Sequence, residues 1–88
     1  MSEEHEENRS NWTVRQWTDY AKEGNTDLAG AYLKGANLKG AWLKGADLWN
    51  ANLEGADLEG AILMSADLRG ANLEGHDIDD LRKRVAGF

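Results

Sequence analysis

The side chains able to do acid–base or nucleophilic chemistry are few and scattered. His5 lies in the acidic opening stretch SEEHEENRS, and His76 stands alone near the end of a repetitive block. There is no cysteine, which excludes thiol nucleophiles, thiolate zinc sites and disulfides. Ser10 and Ser65 have no base at a spacing that the sequence reveals. Carboxylates do recur, with Asp27, Asp47 and Asp67 twenty residues apart and Asp57 and Asp77 likewise. One carboxylate per twenty residues is not the cage of about six to eight oxygens that calcium takes. Bonds to local backbone amides are the expected task of these side chains. No catalytic residue, metal ligand or cofactor site is therefore expected, and the chain reads as a non-enzyme. The chemistry left is hydrophobic association, and its carriers are Trp42, Trp49, Ile62 and Met64.

The elements that position these residues follow from a repeat. From Thr26 the chain reads in fives: TDLAG, AYLKG, ANLKG, AWLKG, ADLWN, ANLEG, ADLEG, AILMS, ADLRG, ANLEG, HDIDD. The third position is Leu from Leu28 to Leu73 and then Ile78, and the first is Ala from Ala31 to Ala71. The second is usually Asp or Asn and the fifth usually Gly. Period five suits neither a helix at 3.6 nor a flat strand at 2.0. On a helix the leucines would advance by about 500° per repeat and smear around the axis. The pattern makes sense if the chain turns a corner every five residues, pointing one small and one large apolar residue inward on each side. Gly, Asn and Asp suit the corners because they tolerate unusual backbone angles. Four sides close a coil of about 20 residues, and successive coils stack at about 4.8 Å.

These A(D/N)LXG units resemble the consensus of the pentapeptide-repeat family, across the whole block 26–80. The resemblance implies an all-β solenoid, a right-handed quadrilateral β-helix of about 2.75 coils. The interior is then filled by leucine and alanine, leaving no pocket for a substrate.

Both ends read as caps. Residues 1–12 read as a disordered acidic tail and 13–25 as a capping helix with its turn. Thr13 and Gln16 have capping-box spacing, Val14, Trp17 and Ala21 form one apolar stripe, and Gly24 is a stop. Residues 81–88 read as a C-terminal cap, with Leu81, Val85 and Phe88 on one stripe. Asp79 and Asp80 before Arg82, Lys83 and Arg84 suit a helix dipole. In the last repeat His76 and Ile78 take the inward positions.

A coil of twenty makes residues twenty apart vertical neighbours. Lys34 then meets Glu54 and Lys39 meets Glu59, while Glu54–Glu74 and Glu59–Asp79 are like-charged. Trp42 and Ile62 share one column, at a position where the repeat prefers Asp or Asn. Met64 stands over Lys44, and Trp49 follows around the corner between Ala29 and Arg69. Exposed apolar groups on a polar surface mark an interface, and Trp is a frequent anchor. Cover by the N-terminal segment with Trp12, or plain exposure, are the competing readings.

The 88 residues allow one domain, and the formal charge of -6 argues against nucleic-acid binding, which needs clustered cations. No apolar run reaches the ~20 residues of a membrane span. A cytoplasmic location is expected, because the acidic start is the reverse of a secretory signal. The leading functional reading is a scaffold or protein–protein interaction module, with a protein partner or a homodimer. The resemblance implies an alternative, an acidic mimic of duplex DNA that modulates a type II topoisomerase such as gyrase. Against it, a stack about 13 Å tall covers only some four base pairs. The near-perfect register also fits an engineered or idealised repeat without a native task.

Overall fold

The computed structural model describes residues 9–85 of the chain. Its regular elements are a 3₁₀ turn at Arg9–Asn11, helix α1 (Val14–Lys22) and helix α2 (Ile78–Arg84). Between the helices the backbone turns every five residues. Ala31 N–H donates to Leu28 O at 3.0 Å, and the same bond recurs at Ala36, Ala41 and Ala46. At each corner only the residue before the alanine has positive φ, for example Gly30 at 70°. That is the signature of a type II turn, in which glycine is favoured.

After four such corners the chain returns to the same lateral position. Parallel bridges link Asp27 to Asp47, Tyr32 to Asn52, Asn37 to Asp57, Trp42 to Ile62, Asp47 to Asp67 and Asn52 to Asn72. Each bridge rests on paired backbone bonds, such as Leu48 N–H to Asp67 O and Asp67 N–H to Ala46 O, both 2.9 Å. Among the described residues the bridges are isolated and no strand forms, which differs from the all-β expectation. The corners explain this. A turn every five residues leaves one residue per side free to bridge both ways.

The extended stretch between corners alternates its side chains. First and third positions therefore point in, and second positions point out. Leucines 28 to 68 and alanines 31 to 66 at these positions are all buried, and no polar side chain is buried among the described residues. Ala71 and Leu73 are only half-buried, at the end where the stack stops.

Helix α1 closes the first coil. Thr13 Oγ1 accepts from Gln16 N–H at 3.2 Å, and Gln16 Oε1 accepts from Thr13 N–H at 2.8 Å. Trp17 and Ala21 are its buried residues. Part of the segment read as a disordered tail is ordered. Trp12 packs edge-on against Trp17 at 4.9 Å and Tyr20 at 5.1 Å. The Arg9 guanidinium lies 4.7 Å from the Tyr20 ring centre and pairs with Asp27 at 2.8 Å. Aromatic stacking and a cation over a ring hold residues that composition alone reads as polar tail. Residues 1–8 of that tail lie outside the described residues, as does Phe88 of the C-terminal stripe.

The last repeat needs a correction. HDIDD does not make another side, because α2 begins at Ile78, inside the block 26–80 read as repeats. Ile78 is exposed, not core. Asp77 is the reason, since its side chain accepts from Asp79 and Asp80 N–H and so caps a helix start. Acidic residues in the first turn and Arg82, Lys83 and Arg84 in the last complete the preference. Leu81, 2% exposed, supplies the buried group instead.

Candidate functional site

The outward positions fall on four sides, and each side repeats after twenty residues. On most of them a second-position Asp or Asn serves the backbone. Asn37 Oδ1 accepts from Lys39 N–H, Asp57 from Glu59, Asn52 from Glu54 and Asn72 from Glu74, at 3.0–3.1 Å. These are Asx turns, and they account for the carboxylate columns without a metal. No group of potential metal ligands occurs among the described residues. Asp47 and Asp67 make the same bond to Trp49 and Arg69. Asp67 is also gripped by the Arg69 side chain, through Nε at 2.9 Å and Nη2 at 2.7 Å. Those bonds hold its carboxyl down at about 2. Asp27 is lowered too, chiefly by the Tyr20 hydroxyl donating at 2.5 Å and then by Arg9.

The lysine ring divides in two. Lys34 Nζ lies 3.9 Å from Glu54 and Lys39 Nζ 3.6 Å from Glu59. The second pair is solvent-exposed and the first, with Glu54 half-buried, is long, so both are weak. Lys44, third in the ring, has Met64 where the others have a glutamate. Among the described residues no carboxylate pairs with it.

This third side, residues 41–45 under 61–65, is where the apolar residues gather. Trp42 and Ile62 are bridged neighbours, 59% and 39% exposed, and Met64 is 60% exposed. The two repeats contain no Asp or Glu, and Lys44 gives them a charge of one positive in a chain of -6. Trp49, 51% exposed, is on the next side, with Ala29 below and Arg69 above. The trio is therefore one surface and Trp49 a separate one. Trp12 does not cover the trio, being engaged with Trp17 and Tyr20. The sequence reading missed Tyr32, 47% exposed and bridged to Asn52. Its signal was present, an aromatic at an Asp/Asn position.

At the end of the stack two side chains serve structure. The Nε2 of His76 lies 2.7 Å from Leu53 O, so that nitrogen carries the proton and donates. Arg84 Nη2 donates to Leu58 O at 2.7 Å and to Ala61 O at 2.9 Å, and its Nη1 to Asp80 at 3.0 Å. His76 thus acts as a clamp on backbone. No cavity opens among the described residues, and none of their helices is long and apolar enough to cross a membrane.

A family model for pentapeptide repeats matches residues 24–50 and 43–77, with eight copies. The match covers more than half of the chain, and the protein belongs to the pentapeptide-repeat family. Such repeats usually form a right-handed β-helix, and proteins built from them are generally non-enzymatic scaffolds. Neither a curated protein nor a solved structure matches the chain.

Proposed function

We propose that this protein is a non-enzymatic interaction module. Its body is a right-handed quadrilateral β-helix of about 2.5 coils, ten pentapeptides at four to a coil, closed by α1 and α2. Its working surface is the side bearing Trp42, Ile62 and Met64, with Trp49 on the neighbouring side as an accessory contact. One observation carries the reading. On this side alone, among the described residues, the second-position column carries no Asx residue, holding Trp42 and Ile62, and Lys44 has Met64 where Lys34 and Lys39 have glutamates. Such replacements do nothing for an interior they do not face, and a contiguous exposed apolar patch marks a contact surface.

The topoisomerase alternative draws support from the family and from the acidic charge. Lys34 and Lys39 neutralise part of that charge on two sides, and Lys44 makes the apolar side positive. A surface of this kind fits a protein better than the DNA-binding groove of an enzyme, which favours unbroken negative charge.

The test is a photoactivatable cross-linker placed at residue 42 and, as a control, at residue 52 on the opposite side. In cells expressing the protein, the probe at 42 captures a protein species that the probe at 52 does not. Equal yields from both positions would overturn the assignment.

A further inference from the structure

Resting on the reading of this side as an interaction surface, we propose that its occupant is a second copy of the same chain, docked side to side about a two-fold axis. Shape is the first argument. Backbone bridges run straight up the side, from Trp42 to Ile62, so its side chains stand on a plane. Flat faces pack on flat faces, as sheets do at about 10 Å. A helix or a peptide knob needs a groove, and there is no cavity here among the described residues. A second copy is a flat partner always present.

Area is the second argument. Trp42, Ile62 and Met64 together offer on the order of 300 Å² of apolar surface. A standard interface buries about 800 Å² per partner, with an apolar centre and a polar rim. The trio suffices as the centre, and the flanking sides supply the rim.

Charge is the third argument. Among the described residues no carboxylate pairs with Lys44, and the flanks of the side carry Asp57 on one edge and Asp47 on the other. Each of these uses Oδ1 on its own turn, to Glu59 and Trp49 N–H respectively. A two-fold contact is reciprocal, so whatever Lys44 meets on the partner, the partner's equivalent meets here. Sliding one side over the other sets each Lys44 against a flanking carboxylate of the opposite copy. Asp67 is unsuited to that task because Arg69 already holds it.

The charge also gives the proposal a distinctive signature. Two chains of -6 repel at long range, and salt screens that repulsion. The Lys44–carboxylate contacts are screened as well, but exposed pairs of this kind are weak. The net repulsion therefore dominates and self-association tightens as salt rises, whereas binding of a partner held mainly through Lys44 would weaken.

Sedimentation equilibrium of the full chain tests this at about 50 and 300 mM salt. We expect a monomer–dimer equilibrium with Kd on the order of 100 μM, tighter at the higher salt. Trp42→Asp weakens it by about tenfold or more, and Lys44→Glu by about threefold to tenfold. Tyr32→Asp, an exposed aromatic on the opposite side, leaves it unchanged within about twofold. Circular dichroism and melting confirm that each variant is folded. Should Trp42→Asp fail to fold, Lys44→Glu and the salt response decide. A wild type that stays monomeric at about 1 mM overturns the second-copy proposal. If the probe at residue 42 still captures another protein, the interaction surface stands and only its occupant changes. If it captures nothing, both fail.

Discussion

Two adjacent sides of the stack share a backbone and differ in what they show to water. Residues 36–40 under 56–60 make one, and 41–45 under 61–65 the other. Both bury Ala and Leu at the first and third positions, and both are bridged at the second. Both place a lysine at the fourth position of the lower repeat. On the first side Asn37 and Asp57 bond the backbone and Lys39 meets Glu59. On the second, Trp42 and Ile62 have no oxygen to offer, Met64 replaces the glutamate, and Ser65 holds φ 66° where Gly60 holds 71°. The lesson is that the corner and the inward pair are enough to set the backbone. Local Asx bonds, worth about 0.5–1.5 kcal/mol each, are dispensable. Outward positions can then be given to another purpose, as Trp42, Ile62 and Met64 are on this side.

The comparison can be broken first at what the two sides share. Leu38→Ala and Leu43→Ala should each cost about 2–5 kcal/mol, and by similar amounts, in chemical denaturation. A large inequality would show that the sides are not equivalent inside. Arg84→Met should cost about 1–3 kcal/mol by leaving the Leu58 and Ala61 carbonyls without their charged donor. Ala61 opens the apolar side, so hydrogen exchange should rise at 61–65 before it rises at 36–40. The outward differences are smaller. Ser65→Gly should raise stability by about 1 kcal/mol, since serine is strained at positive φ and glycine is not. At Gly60 the reverse change, Gly60→Ser, should lower it by a similar amount. Trp42→Asn should add about 0.5–1 kcal/mol by restoring the Asx bond, while removing association. A variant that is less stable and still associates would contradict the division of labour between the two sides.

Much of this was legible in the sequence because each pentapeptide carries its own conformational instructions. Leu at every third position and Gly at every fifth fix inside and corner, and the twenty-residue column follows. The columns Lys34–Glu54 and Lys39–Glu59, and the stacking of Trp42 with Ile62, need nothing else. The capping box at Thr13 and Gln16 is equally local. Two things were hidden. At Ile78 the pentapeptide frame competes with a helix start, and frame-reading favoured the repeat while Asp77 decided for the helix. At the two ends the decisive bonds join residues far apart in the chain. Arg9 to Asp27 and Arg84 to Leu58 are contacts that no periodicity announces. For the candidate site, Trp49 looked like part of one patch because a corner was counted as continuity. The side it occupies is separated by that corner from the side of Trp42.

The central claim is that a twenty-residue register sets Trp42 and Ile62 side by side on one outer surface. The chain has no cysteine, which makes a direct test clean. Pairs of cysteines are introduced at 42 and 62, at 42 and 57, and at 42 and 67, and oxidised at high dilution. Bridged neighbours lie within the roughly 4.4–6.8 Å between Cα atoms that a disulfide spans. The account predicts an intramolecular disulfide for the 42–62 pair and none for the other two. Ready closure of 42–57 or 42–67, with 42–62 left reduced, would contradict the register and with it the surface built on it.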